Sequence, residues 1–181
     1  FYCGLFTKLF PDHMGTNEHE SFEEYAYWKT QLFPMTDKAI VNIDDPFSDE
    51  IIKNCKDQII TYGYDNKADY VLDNCTKVKL GNILGVSFDV KANSINKNFT
   101  VALPGEINAH NSLIAIALAD IFSISDEDTA EGLKQVFVKG RCEIMKNTDD
   151  ITVIIDYAHN GVSLKSIIDT ARAYEHNRII T

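Results

Sequence analysis

The hydrophobic pattern of the chain is dominated by residues 103–119, which read LPGEINAHNSLIAIALA and are almost wholly apolar from Leu113 onward. Apolar residues all round a helix predict that the helix is buried. Asn108 and Asn111 are three apart, so they share one face of its first turns, where unpaired N–H groups and the positive dipole end suit a polar ligand. The alternative is that the two side chains cap the helix or bond to a neighbouring loop, because asparagine is common at helix starts.

Three other apolar runs predict strands, at residues 2–7, 38–43 and 151–155. The third, ITVII, is β-branched throughout, which is typical of a strand buried on both faces. A helix over about 163–173 and a strand from residue 178 would complete most of a βαβ unit.

Polar residues of the kinds that cap helices predict three further helix starts. Ser21 with Glu24 forms a capping-box pattern, and the apolar face of the helix that follows is Phe22, Tyr25, Trp28 and Leu32. The run Asp44-Asp45-Pro46 predicts an N-cap with proline at the first helical position. Ser125 precedes three acidic residues and predicts a helix to about residue 137.

Residues 58–103 consist of short alternating runs separated by Gly and Asn, with the clearest alternation at 86–90. Such runs predict antiparallel strands and hence a small β subdomain. The pattern breaks at Gly140, which predicts a domain boundary there. We therefore expect an α/β fold with a mostly parallel sheet flanked by helices, a small antiparallel β subdomain, and then the start of a Rossmann-like domain.

Composition narrows the class of protein. The 181 residues are 45% hydrophobic and 24% charged, as in ordinary soluble globular proteins. A net charge of -10 argues against a nucleic-acid partner, although not against binding one nucleotide. The four cysteines show neither zinc spacing nor disulfide density, which predicts a reduced, cytoplasmic protein. No targeting or membrane segment is evident.

Two polar groups follow predicted strands at their carboxyl ends, where α/β proteins bind ligands. The run D-Y-A-H-N begins at Asp156, whose carboxylate can reach ribose hydroxyls or a metal, or can cap the next helix. Asp12-His13 follows the first strand, and Lys29 lies on the helix after it. From the local sequence alone, Lys29 is interpreted as a solvated helix lysine and His13 as a surface or capping histidine.

These motifs together resemble the Mur ligase family, the ATP-dependent enzymes that add amino acids to the peptidoglycan precursor. The resemblance rests on G-x-x-N-x-x-N-x-L-x-A-x-A from Gly105, N-x-D-D-P from Asn42, T-Y-G followed by A-D-Y, and G-R at 140–141 followed by D-Y-A-H. The run E-H-x-S-F-E-x-Y-x-x-x-K, which ends at Lys29, is similar to the MurE-like branch that adds the third residue of the stem peptide.

The resemblance implies a nucleotide site and a metal site. Asn108 and Asn111 would lie at the adenine and ribose, Arg141 at the ATP phosphates, and Asp156 at the ribose with His159 nearby. His13 would bind Mg²⁺ together with Lys29, whose amine would carry CO₂ as a carbamate and so present hard oxygens. Lys8 and Phe10 depart from the family pattern in the loop before His13, and the gap from His13 to Lys29 is slightly long.

The function implied is amide-bond formation between a UDP-muramoyl dipeptide and a free amino acid, driven by ATP with Mg²⁺ through an acyl phosphate. Related alternatives are a folylpolyglutamate or cyanophycin-type ligase, and a non-catalytic nucleotide-binding or scaffold module. No G-x-x-x-x-G-K-[ST] phosphate loop occurs in the sequence. We therefore expect a piece of a longer protein, inactive alone, with residues 1–140 from the central domain and 141–181 from the C-terminal domain.

Overall fold

The computed structural model describes residues 1–10, 19–81, 83–92, 95–148 and 150–181. Strands β1 to β6 lie in that order in one sheet, and β7 and β8 form a second. The chain divides into two compact units, of which unit one is residues 1–71 with the segment beginning at Lys91, and unit two is Leu72–Val90 with Ile95–Thr181. The elements are β1 Cys3–Phe6, α1 Phe22–Thr30, β2 Lys38–Asn42, α2 Ser48–Asn54, β3 Gln58–Gly63, β4 Tyr70–Leu80, β5 Ile83–Ala92, β6 Ile95–Val101, α3 Glu106–Ile121, α4 Asp126–Gln135, β7 Glu143–Asn147, β8 Thr152–Ile155 and α5 Gly161–Arg172.

Unit one is built on the parallel strands β1, β2 and β3. Ile40 of β2 pairs with Leu5 of β1 and with Ile60 of β3, and its side chain is fully buried. Strands at both early apolar runs are thus confirmed. The expectation that antiparallel strands begin at residue 58 is wrong for β3, because α2 connects it to β2 and a helical crossover permits parallel pairing. The core consists of Phe6, Leu9, Tyr25, Ala26, Phe33, Ala39, Val41 and Ile51.

Helix α1 begins as the capping pattern predicts, with the Glu24 N–H donating to Ser21 Oγ at 3.2 Å. The Glu24 carboxylate accepts instead from the Glu20 N–H, at 2.9 Å. The predicted apolar face is partly wrong, because Trp28 is 56% exposed and stacks edge-on against Tyr27. The buried positions of the helix are Tyr25, Ala26 and Thr30, which turn a different stripe toward the core.

The start predicted for α2 is also wrong. The helix begins at Ser48, with Phe47 as its N-cap, so Pro46 lies before the first turn. The Asp45 carboxylate accepts from the Phe47 N–H at 2.9 Å, which closes a local turn in front of the helix. Competition from such a side-chain turn delays the helix by two residues.

Unit two contains the predicted antiparallel strands. The connections from β4 to β5 and from β5 to β6 are two residues long, which only antiparallel neighbours allow. Val86, Phe88 and Val90 are buried and alternate with less buried positions, as predicted. Helices α3 and α4 both pack on β6. Helix α3 buries eight residues, which confirms the prediction of a buried helix, and Ser125 caps α4.

The predicted βαβ unit at the end of the chain is wrong. Strand β8 exists, but it pairs antiparallel with β7 and is mostly exposed rather than buried on both faces. Thr148 and Ile151 close the turn between them, with the Thr148 N–H donating to the Ile151 carbonyl at 3.0 Å. Among the described residues, no strand follows α5. A continuous apolar run in the sequence predicts a strand, but it does not predict which strands pair with that strand.

Candidate nucleotide site

The start of α3 requires a glycine. Gly105 has φ +98°, and a Cβ there would lie 2.8 Å from Oγ1 of Thr170 on α5. The Asn108 side chain donates from Nδ2 to the Pro104 carbonyl at 2.7 Å, so it stabilises this turn, but it does not cap the helix. Asn111 is exposed, and within the described part of the chain its side chain has no hydrogen-bond partner. Its amide is therefore accessible to a ligand.

The turn before β7 has an unusual backbone. Gly140 and Cys142 have positive φ values, 71° and 46° respectively. The Arg141 N–H donates to the Val138 carbonyl at 3.0 Å, and the Tyr157 N–H donates to the Gly140 carbonyl at 2.8 Å. The turn is thereby joined to the segment that follows β8.

Asp156, the first residue after β8, is half-buried and uses both carboxylate oxygens. Oδ2 accepts from the Cys142 N–H and Oδ1 accepts from the Ala158 N–H, both at 2.8 Å. A carboxylate has about four acceptor positions, so two remain for a ligand. Asp156 does not cap α5, contrary to that alternative. The cap is Asn160, whose side chain accepts from the Ser163 N–H.

Cys142 connects these parts, and sequence reasoning missed it. Its backbone N–H donates to Asp156 at 2.8 Å. Burial, reinforced by the Asp156 carboxylate, raises the pKa of the thiol to about 11, so the sulfur is protonated at neutral pH. Adjacency to Gly140-Arg141 was the only signal in the sequence. The structure thus joins Asp156 to the residue that follows Arg141.

Arg141 and His159 flank an exposed aromatic ring. The Arg141 guanidinium carbon lies 5.5 Å from the Tyr157 ring centroid, and the His159 ring centroid lies 5.2 Å from it. His159 Nδ1 is 3.0 Å from the Tyr157 carbonyl oxygen. Both side chains are exposed, so the arginine is accessible to an anion.

A cleft of about 510 Å³ lies in the same unit, between β4, the start of α3 and α5. Its lining includes Cys75, Glu106, Lys165 and Tyr174, and none of the five predicted nucleotide residues. The Tyr174 hydroxyl donates to the Gly85 carbonyl at 2.8 Å. Burial raises the pKa of Tyr174, which keeps this donor protonated.

The predicted metal site is in unit one, and the structure leaves it untested. His13 and the Asp12 before it lie outside the described residues. The Lys29 side chain is exposed, and its Nζ lies 5.3 Å from the Tyr25 ring centroid. In the described ranges, no three His, Cys, Asp or Glu side chains are grouped so as to hold a metal ion. The magnesium assignment stays a prediction.

The carboxyl ends of β1 and β2 are held by buried polar side chains. Asn42 donates from Nδ2 to the Thr7 carbonyl at 2.7 Å. Asp45, which is 5% exposed, accepts from the Leu9 N–H at 3.0 Å through the oxygen that does not bind Phe47. The N-x-D-D-P motif thus secures the loop after β1.

An α/β protein with polar side chains at the carboxyl ends of its strands belongs to the broad class that binds ligands there. The family model of the Mur ligase middle domain matches residues 1–119, and that of the Mur ligase glutamate ligase domain matches residues 140–181. The chain belongs to the Mur ligase family. None of the described helices is long and apolar enough to cross a bilayer.

Curated relatives carry the name UDP-N-acetylmuramoyl-L-alanyl-D-glutamate--2,6-diaminopimelate ligase. The protein of Caldanaerobacter subterraneus subsp. tengcongensis is 37% identical over 181 residues, which are 99% of this chain and 36% of the relative. That of Clostridium perfringens is 32% identical over 188 residues, covering 100% of this chain and 37% of the relative. The chain therefore spans little more than a third of the length of these relatives.

Solved structures share the fold. A diaminopimelate ligase of the same name has a TM-score of 0.78 at 22% identity, covering 97% of this chain and 36% of that one. MurF from Acinetobacter baumannii has a TM-score of 0.79 at 21% identity, covering 96% and 38%. The predicted family and α/β fold class are confirmed.

Proposed function

We propose that the chain is part of an ATP-dependent ligase that joins an amino acid to a UDP-N-acetylmuramoyl dipeptide. Because the curated relatives are named diaminopimelate ligases, we propose diaminopimelate as the amino acid. The observation that carries the proposal is the pair of backbone hydrogen bonds that join the turn around Arg141 to Asp156 and Tyr157. Two motifs far apart in sequence thus contribute to one polar site.

The proposed roles follow from the chemistry of each side chain. The exposed Asn111 amide offers a donor and an acceptor, which suits an adenine edge. The two unused acceptor positions of Asp156 suit the hydroxyls of a ribose. The exposed Arg141 guanidinium suits phosphate oxygens, which it can bind through two parallel hydrogen bonds. His159 lies next to Arg141 across Tyr157 and would border the same ligand.

In the proposed reaction, the carboxylate of the dipeptide attacks the γ-phosphorus of ATP, which releases ADP and gives an acyl phosphate. The amine of the amino acid then attacks the acyl carbon, so that a C–N bond forms, phosphate leaves and the amine loses a proton. Negative charge develops on the phosphoryl oxygens in the first step. Arg141 would stabilise that charge.

Mg²⁺ would supply further charge neutralisation at the phosphates, and His13 with carbamylated Lys29 would hold it. The exposure of Lys29 fits this role, because CO₂ must reach the amine and the ammonium form cannot bind a cation. We propose that the protein acts in the cytoplasm on soluble substrates, with neither nucleic acid nor membrane as a partner.

The test is an assay of the full-length protein with ATP, UDP-N-acetylmuramoyl dipeptide and a panel of amino acids. We expect phosphate release that depends on diaminopimelate, together with a product heavier by one diaminopimelate residue in mass spectrometry. Reactions without the amino acid are the control. Product formation with a folate substrate instead would contradict the proposal. The absence of product with every substrate tested would also contradict it.

A matched pair of arginines tests the assignment of the site. Arg141→Ala should lower kcat/KM for ATP by roughly 10²-fold, the usual effect of losing one charge-stabilising group. Arg172→Ala should stay within about twofold, because Arg172 is an exposed residue of α5 whose recorded ion pair is with Asp169. Equal effects of the two changes would count against Arg141.

A further inference from the structure

The backbone of the loop after β1 is held on both sides of Lys8. Asn42 donates from Nδ2 to the Thr7 carbonyl at 2.7 Å, and Asp45 accepts from the Leu9 N–H at 3.0 Å. Asn42 is 6% exposed and Asp45 is 5% exposed. Burial of such polar groups costs free energy, which these hydrogen bonds offset. The loop therefore has one preferred backbone position at residue 8.

The same loop is also joined to the core of unit one. The hydroxyl of Tyr62, on β3, donates to the Phe6 carbonyl at 3.3 Å, and Tyr62 is fully buried. Leu9 is 7% exposed and belongs to the hydrophobic core. Loops are usually more mobile than the elements that they connect. This one instead presents Lys8 from a backbone that is attached to the ends of three strands.

The side chain of Lys8 is exposed, and its ammonium is accessible to an anion. Its Nζ lies 5.5 Å from the Phe10 ring centroid, a contact that favours one region for the charge. Across residues 1–10, 19–81, 83–92, 95–148 and 150–181, Lys8 forms no ion pair with a carboxylate, although the chain has 27 acidic residues. The carboxyl ends of parallel strands, where this cation lies, are where α/β proteins bind ligands.

We propose that Lys8 binds an anionic oxygen of a substrate, either on a phosphate of ATP or on a phosphate or carboxylate of the UDP-muramoyl dipeptide. The inference rests on the proposed function, which supplies both anions. Lys8 is one of the residues by which the loop departs from the Mur ligase pattern, so the resemblance does not imply this contact. The ammonium donates charge-assisted hydrogen bonds to the substrate, and Asn42 positions it through the backbone of the loop.

Equilibrium binding of the dipeptide and of the ATP analogue AMP-PNP to the full-length protein distinguishes the two sources of the anion. Lys8→Ala should raise at least one Kd roughly 10- to 100-fold, the range expected for a lost hydrogen bond to a charged group. The substrate whose Kd rises is the one that Lys8 contacts, and a rise for both would mean that Lys8 lies between them. Lys8→Arg keeps the charge and should raise the same Kd less than Lys8→Ala.

Lys38→Ala is the matched control. Lys38 begins β2 at the opposite end of the same sheet, and its Nζ likewise lies near an aromatic ring, 5.9 Å from the Tyr2 ring centroid. Both Kd values of this variant should stay within about twofold of the wild type. Equal Kd values for Lys8→Ala and Lys38→Ala would overturn the inference.

A double-variant cycle tests the positioning by Asn42. Asn42→Ala should raise the same Kd as Lys8→Ala, by about 3- to 10-fold, because the loop loses its hydrogen bond at Thr7. Added to Lys8→Ala, the same change should have an effect of less than about twofold, since the cation that it positions is already absent. Equal effects in the two backgrounds would show that Asn42 does not act through Lys8.

A measurement on the unmodified protein needs no variant to fold. Acetylation of lysines by an N-hydroxysuccinimide ester, resolved by mass spectrometry, should slow at Lys8 when the contacted substrate is bound and stay unchanged at Lys38. Wild-type protein that forms the diaminopimelate product, with no protection of Lys8 and normal binding by Lys8→Ala, would overturn the inference and leave the proposed function standing. Wild-type protein that binds neither AMP-PNP nor the dipeptide would overturn both.

Discussion

Strands β2 and β8 are both short apolar runs, yet the protein buries one and exposes the other. Strand β2 lies between two parallel neighbours, and Ile40 at its centre is 0% exposed. In the described sheet, β8 has β7 as its one neighbour, and Ile155 at its end is 46% exposed. The difference comes from the neighbours of each strand and not from its own residues.

The acidic residues that follow the two strands show the same contrast. Asp45 and Asp156 each accept two backbone N–H groups, one from a nearby residue and one from a distant loop. Asp45 is buried, and its hydrogen bonds serve the fold. Asp156 is half-buried and keeps acceptor positions within reach of solvent. The same hydrogen-bond pattern is thus closed to solvent at Asp45 and accessible to a ligand at Asp156.

The largest expected effect is on the two strands themselves. Ile40→Ala should lower the free energy of unfolding by about 3 kcal/mol, because it leaves a cavity in a closed core. Ile155→Ala should cost less than about 1 kcal/mol, because the site is already half open to water. Denaturant titration followed by circular dichroism measures both. Equal losses would mean that β8 is covered in solution.

The second largest effect on stability is expected when the buried carboxylate of Asp45 is removed. Asp45→Ala should cost about 2 to 3 kcal/mol, since it leaves the Leu9 and Phe47 N–H groups without their charged acceptor. Asp57→Ala, at an exposed position before β3, should change the free energy of unfolding by under about 0.5 kcal/mol. A loss at Asp45 as small as that at Asp57 would show that water replaces the carboxylate.

A substitution at the start of α3 should have an intermediate effect on the free energy of unfolding. Gly105→Ala should cost about 1 to 3 kcal/mol, because alanine is strained at φ +98° and its Cβ overlaps Thr170. Adding Thr170→Ala to the Gly105→Ala variant should recover the stability lost to the steric overlap. The stability lost to backbone strain should remain lost. Thermal unfolding of the two single variants and the double variant separates the two terms, and full recovery would mean that the backbone strain is negligible.

The smallest effect on stability should be at the half-buried Asp156. Asp156→Asn should change the free energy of unfolding by less than about 1 kcal/mol, because water can satisfy the Cys142 and Ala158 N–H groups. AMP-PNP affinity should nevertheless fall about tenfold. A variant that loses stability as Asp45→Ala does, with unchanged affinity, would make Asp156 a structural residue like Asp45.

The same contrast explains which parts of the fold the sequence predicts. Local patterns identify α3 and most of the strands, because burial imposes a period on the residues of each element. They do not identify the neighbour of a strand, so the antiparallel pairing of β8 and the parallel pairing of β3 were both missed. The inward face of α1 was misassigned at Trp28 because an exposed aromatic residue has the same spacing as a buried one.

The candidate site was predicted by a different kind of signal. Asn108, Arg141 and Asp156 stand in motifs whose spacing resembles a family, and hydrogen bonds join the turn around Arg141 to Asp156 and Tyr157. Cys142 belongs to none of those motifs. Its N–H reaches Asp156 from a left-handed backbone, and neither property leaves a trace in the residue type.

Gly85 shows how tightly the β-hairpin and α5 are linked. A Cβ at this position would overlap the carbonyl oxygen of Val101, so any larger residue would force β5 and β6 apart. The carbonyl of the same residue accepts the Tyr174 hydroxyl, so the displacement would also pull on the end of α5. A larger residue at position 85 would therefore disturb the Tyr174 hydrogen bond as well as the pairing of β5 with β6, although 88 residues lie between positions 85 and 174.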